Sequence, residues 1–158
     1  MVCYSSALRS TLASVWARWD SMRPKKTILC IDDNEQSLSI RKFMLETRGY
    51  RVIESHNGRE ALQLFEQGGI DLVLSDLVMP DMDGAELVRR IKELSPETPA
   101  ILFSGKIKMY DKDTCADIFF PKGAYAPVEL LERIRLLLIK KRGPKKSAAS
   151  AQNVQRAS

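Results

Sequence analysis

Cysteine, histidine and long apolar runs are what this chain of 158 residues is short of. Its three cysteines, Cys3, Cys30 and Cys115, form an odd, scattered set with no CxxC pair and no histidine close to them in sequence. That spacing argues against a disulfide framework and a zinc site, and it suits a reducing cytosol. The single histidine, His56, precedes Asn57-Gly58 and reads as a surface loop residue. No apolar run approaches the ~20 residues of a membrane span, and the N-terminus lacks the unbroken apolar core of a secretion signal. The expectation is an intracellular, cytoplasmic protein with no transmembrane segment.

A basic body is missing too. The formal net charge is +5, but residues 1–26 hold five bases against Asp20, and residues 140–158 hold six bases and no acid. Residues 27–139 hold 14 bases and 19 acids, so the body is acidic. A nucleic-acid-binding body carries a basic stripe on a folded face, which excludes that class for the body. Only the Lys- and Ser-rich tail is left for weak contact with nucleic acid or anionic lipid. At 44% hydrophobic and 28% charged, the composition is that of one globular domain with extensions.

Within the body, "TILCID" (27–32), "RVIES" (51–55), "DLVLSD" (71–76), "PAILFS" (99–104) and "DIFFP" (117–121) have strand character. Several are continuously apolar, as expected of strands covered on both faces in a parallel sheet. Helical segments alternate with them: Leu38, Phe43, Met44 and Leu45 before Gly49; Ala61, Leu62, Leu64 and Phe65 after Gly58; Leu87, Val88, Ile91 and Leu94 after Gly84; Val128, Leu130, Leu131, Ile134 and Leu138 after Pro127. This order predicts a doubly wound α/β fold of about five strands with helices on both faces. Residues 104–117 have room for a fourth helix that is short or irregular. Leu8, Leu12, Val15, Trp16 and Trp19 fall at helical spacing in an N-terminal extension that is either amphipathic helix or disordered, and Met22 is an alternative start. The expected division is an extension over 1–24, a folded domain over 25–141 and a disordered basic tail over 142–158.

The strands end in related polar residues: Asp32-Asp33, Asp76, Ser104 and Lys122. Ligands of an open parallel sheet bind at the carboxyl ends of the strands, where strand order reverses. If the first strand lies between the second and the third, these residues converge. Three carboxylates in one pocket repel unless a cation compensates them, and Mg2+ does so with oxygen ligands while also accepting phosphate oxygens. Ser104 can donate to an oxyanion and Lys122 can supply a point charge, so a carboxylate among them suits nucleophilic phosphoryl transfer. Each residue alone has a plainer reading. Asp-Asp before a helix commonly caps it, and a lysine between Pro121 and Gly123 commonly sits solvated in a turn.

"ILCIDDNE", "DLVLSDLVMPDMDG", "PAILFSG" and "DIFFPK" together closely resemble the receiver domain of bacterial two-component response regulators, over about residues 25–141. The resemblance implies a flavodoxin-like sheet of order 2-1-3-4-5 and Asp76 as phosphoacceptor for a histidine kinase or phosphotransfer protein. It implies Mg2+ bound by Asp33 and Asp76, by Asp32 through water and by the backbone carbonyl of Val78. Ser104 and Lys122 would then engage the phosphoryl group, and Phe119 would stand at the aromatic switch position. Gly105 would leave room for the phosphoryl group, and Val78 and Lys106 would occupy positions that tune dephosphorylation. With no output domain after residue 142, the resemblance implies a stand-alone receiver, itself not an enzyme, whose output is a contact with a downstream protein partner or phosphoryl relay.

The lysine loop departs from the family. Proline usually follows that lysine, often through a cis bond, whereas here Pro121 precedes it and Gly123 follows. A cis bond without proline costs about 3 to 4 kcal/mol, so a trans Lys122-Gly123 bond with positive φ at Gly123 is expected. Three rival readings remain open from sequence. A haloacid-dehalogenase-like phosphatase would space its two acids by one residue, and here they are adjacent. The others are a receiver-like scaffold that is never phosphorylated, and a basic-tailed binding protein regulated by the receiver.

Overall fold

The computed structural model describes residues 25–105 and 114–140. Residues 106–113 of the expected fourth helix segment, the N-terminal extension and the tail beyond residue 140 lie outside them. Five strands, β1 (Thr27–Ile31), β2 (Arg51–Ser55), β3 (Leu72–Asp76), β4 (Ala100–Ser104) and β5 (Ile118–Pro121), form one parallel sheet of order β2-β1-β3-β4-β5. The helices α1 (Glu35–Glu46), α2 (Gly58–Glu66), α3 (Gly84–Leu94) and α4 (Pro127–Lys140) cover it. The expected strand order is the one found.

Every residue of β1, β3 and β4 is buried, which explains why these strands read as continuous apolar runs. Successive side chains leave a strand on opposite faces. Leu29, Ile31, Val73 and Leu102 therefore pack with Ala61, Phe65, Leu87, Val88 and Ile91 of α2 and α3. Ile28, Cys30, Leu72, Leu74, Ile101 and Phe103 pack with Leu38 and Leu45 of α1 and Leu130, Ile134 and Leu138 of α4. Burying each such large side chain stabilises the fold by about 1.5 to 3 kcal/mol, so the two layers hold the sheet firmly from both sides.

Short polar residues start the helices where the sequence places them. The carbonyl oxygen of the Asn34 side chain accepts from the Ser37 N–H at 3.1 Å, that of Asn57 from Glu60 at 2.8 Å, and the Asp83 carboxylate from Ala85 at 2.8 Å. Gly49, with φ of 84°, follows the end of α1.

One helix face differs from its expected composition. The inward residues of α1 are Leu38, Arg41 and Leu45, while Phe43 is 73% exposed and Ile40 also faces outward. A spacing of three and then four residues defines the stripe, and Phe43 lies off it. The helical segment forms as its apolar residues suggest, but Phe43 faces solvent and an arginine shares the inward face with Leu38 and Leu45.

Candidate functional site

The carboxyl ends of β1, β3, β4 and β5 supply the site, and the register brings them level. Asp76 pairs with Phe103 of β4, and Ser104 pairs with Pro121 of β5. The Lys122 N–H donates to the Ser104 carbonyl at 2.7 Å, and the Leu77 N–H donates to the Phe103 carbonyl at 2.8 Å. These backbone bonds fix the stems of the three loops against one another. The bond after Lys122 is trans and Gly123 has φ of 77°, as expected from the displaced proline.

Asp32, Asp33 and Asp76 each offer a carboxylate oxygen within 4.8 Å of the others. Asp32 is fully buried, Asp76 nearly so, and Asp33 is open to solvent. Lys122 reaches back across the loop, its Nζ against Oδ2 of Asp76 and 3.9 Å from Oδ2 of Asp32. Oδ1 of Asp32 accepts from the Asn34 N–H at 3.0 Å, while Oδ2 accepts from Nη1 of Arg41 at 2.9 Å. No buried side-chain nitrogen or oxygen among the described residues lacks a partner. Ser104 is buried at the end of β4, and Phe119 is half-buried against the α2 and α3 layer. The Val78 side chain points to solvent, 70% exposed, and a methyl group added at Gly105 would meet nothing within 4 Å.

Three hard carboxylate oxygens in a cluster open to solvent at Asp33 are the donor set that Mg2+ prefers. Asp32, Asp33 and Asp76 thus fit the ion as a group, and the adjacent lysine fits an anion that bridges to it.

Two features of the site escape a reading of the sequence motifs. A Cβ at Gly84 would lie 2.1 Å from the carbonyl oxygen of Asp76, so only glycine lets the start of α3 pack on the backbone of that aspartate. The carboxylate of Asp81 accepts from the N–H groups of Gly58 and Arg59, both at 3.1 Å, capping α2 from the loop after β3. Slight burial raises the Asp81 pKa, but backbone N–H donors outweigh it and hold the carboxyl below its usual value. The loop carrying Asp76 is therefore anchored to two helices. In sequence, the only hint was the short polar and glycine run from Asp81 to Gly84.

A doubly wound parallel sheet with an acidic cluster and an ion-paired lysine at the carboxyl ends of its strands is suited to holding a metal ion and a phosphate group side by side. The chain belongs to the response regulator receiver domain family, whose sequence model matches residues 28–120. Phosphorylation and signalling to partners in two-component systems are general to this family, whose receivers are phosphoacceptors and bind Mg2+ at an acidic site. The chain is 37% identical over 117 residues to the transcriptional regulatory protein YkoG of Bacillus subtilis, covering 72% of this chain and 51% of YkoG. It thus spans about half the length of that regulator. A 14.6 kDa protein of Leptolyngbya boryana is 38% identical over 112 residues, 70% of this chain and 86% of that protein. Among solved structures, the response regulator TrrA of Thermotoga maritima in complex with Mg2+ and BeF superposes with a TM-score of 0.67 at 31% identity. That match covers 71% of this chain and 98% of TrrA. No helix among the described residues is long and apolar enough to cross a membrane.

Proposed function

We propose that the chain is a single-domain response regulator of the cytoplasm, its domain spanning residues 25–141, and that Asp76 accepts a phosphoryl group from a histidine kinase or phosphotransfer protein. The observation that carries this reading is the Lys122 ammonium held on the Asp76 carboxylate inside the acidic cluster. A carboxylate oxygen of Asp76 attacks phosphorus, forming the O–P bond of an acyl phosphate. The P–N bond of the phosphohistidine breaks, and its electron pair stays with the imidazole. Asp33 and Asp76, the Asp32 carboxylate through water and the Val78 carbonyl would hold Mg2+, which when bound offsets negative charge on the phosphoryl oxygens.

Lys122 then exchanges the Asp76 carboxylate for a phosphoryl oxygen, and the Ser104 hydroxyl donates to another. These two new contacts exist only in the phosphorylated state, so they shift the domain toward the arrangement that makes them. Phe119, one residue before Phe120 in β5 and three before Lys122, follows that movement inward. The receiver-sized relative from Leptolyngbya, of which the chain covers 86%, supports a single-domain output through a protein contact made by the receiver itself. The test is incubation with acetyl phosphate and Mg2+ followed by intact mass. The expected result is a labile adduct in the wild type and none in Asp76→Asn; equal labelling of both contradicts the reading.

A further inference from the structure

Arg41 is one of the few charged residues in the interior, 6% exposed on the inward stripe of α1 between Leu38 and Leu45. Charges are rarely placed there unless paired, because desolvation is costly. Its Nη1 donates to Oδ2 of Asp32 at 2.9 Å, and its guanidinium carbon stands 4.2 Å from the centre of the Phe103 ring. Phe103 is itself fully buried and lies against Phe120 and Tyr125. The guanidinium is therefore fixed by a carboxylate at one edge and an aromatic face on one side.

The consequence lies in the charge of the cluster. Asp32, Asp33 and Asp76 carry three negative charges, and Lys122 alone offsets one of them. Arg41 offsets a second, and it does so from a buried position against the buried Asp32, whereas Asp33 is open to solvent. Both oxygens of Asp32 are already engaged, Oδ1 by the Asn34 N–H and Oδ2 by Arg41. A cation entering the cluster meets an Asp32 whose charge is spoken for, and it meets the repulsion of a guanidinium that cannot lose its proton.

The geometry points to Arg41 as a built-in counter-cation that holds Asp32 in place and sets the Mg2+ affinity of the phosphorylation site. It is a positioning residue: it acts through Asp32 and does not touch the reacting oxygen of Asp76. The domain keeps its acidic pocket formed without metal, and in exchange it binds Mg2+ more weakly than the three carboxylates alone would. This inference rests on the reading that the acidic cluster takes Mg2+.

The experiment is calorimetric titration of the full chain with MgCl2, together with thermal unfolding in its presence and absence. The proteins are the wild type, Arg41→Leu and Arg41→Lys. Removing a unit charge beside a divalent ion tightens binding, so Arg41→Leu is expected to lower the Mg2+ Kd by about tenfold or more. Arg41→Leu should also melt lower than wild type without Mg2+ and recover more of the difference as Mg2+ rises. Arg41→Lys, which keeps the charge, should stay within about threefold of the wild-type Kd. A merely structural arginine predicts the opposite sign, with looser binding in both variants. Unchanged or weaker binding by a folded Arg41→Leu overturns the proposal. If that variant folds only with Mg2+, the metal-dependent folding transition itself supports it, and a variant that stays unfolded at saturating Mg2+ overturns it. Absence of binding by every variant and the wild type overturns the metal reading beneath it, which separates the two failures.

Discussion

The Lys122 ammonium lies on Oδ2 of Asp76, joining residues 46 positions apart in sequence, one at the end of β3 and the other just past the end of β5. The same ammonium is 3.9 Å from Oδ2 of Asp32. Its position depends on a backbone bond from its own N–H to the Ser104 carbonyl and on the positive φ of Gly123 that follows. The contact thus ties the charge of the central acid to the ends of both β4 and β5.

Removing that ammonium should slow chemistry and loosen the site. Lys122→Met leaves Asp76 nearly buried with one cation fewer, and a charge-assisted hydrogen bond to a phosphoryl oxygen is lost. Labelling by acetyl phosphate, followed by intact mass over time, should slow by about tenfold or more. Lys122→Arg keeps the charge but not the point geometry, and should fall between. A wild-type labelling rate in Lys122→Met would remove the lysine from the mechanism.

Gly84→Ala tests the close approach of α3 to Asp76. A Cβ placed 2.1 Å from a carbonyl oxygen forces backbone to move, and overpacking of this kind costs about 1 to 3 kcal/mol. The midpoint of urea unfolding should drop accordingly, and phosphorylation should fall with it because Asp76 is displaced. Intact stability would show that the loop yields freely.

Asp81→Ala tests the anchor between the β3 loop and α2. The substitution removes both capping bonds to Gly58 and Arg59 and should cost about 1 kcal/mol. The sign of the pH dependence follows from the lowered pKa of this carboxyl. Its contribution is present above the unfolded value near 3.8 and fades as pH falls through the lower folded value. The gap in unfolding free energy between wild type and variant should therefore narrow in acid, measured by denaturant titration from pH 7 to 3.

Cys30 should be chemically silent. Burial in the α1 and α4 layer pushes its thiol up to about 12 from 9.0, against the opposing pull of Arg41. In a Cys3→Ser, Cys115→Ser background, a thiol reagent at pH 8 should label Cys30 only after unfolding. The unfolded thiol ionises first, so this group lowers stability as pH rises from about 9 toward 12. Rapid labelling of the native protein would mean that the layer opens locally.

Much of the fold was legible because parallel strands buried on both faces leave unbroken apolar runs, as in "ILCI" and "LVLS". Asp32, Asp33, Asp76, Ser104 and Lys122 were legible because each stands at a strand end, and the strand order does the rest. The Lys122 loop was readable from Pro121 and Gly123, since their backbone preferences left few conformations open. Arg41 was not. An arginine on a helix ordinarily faces water, and only its spacing between Leu38 and Leu45 hinted that its side chain runs inward. Phe43 is the complementary case: it counts toward the apolar content of the helical segment, yet its position turns it away from the sheet. The caps from Asp81 and the tight approach at Gly84 depend on tertiary neighbours that local sequence does not name.

The central claim is that Asp76 is the phosphoacceptor, and the most direct measurement locates the acyl phosphate itself. After phosphorylation with acetyl phosphate and Mg2+, borohydride reduces an acyl phosphate to an alcohol, which leaves a permanent mass mark on the acceptor residue. Fragmentation of the peptides should place that mark on Asp76, with none on Asp32, Asp33, Asp81 or Asp83. A mark on any of those four residues, or no mark where an established receiver treated in parallel is marked, would contradict the account.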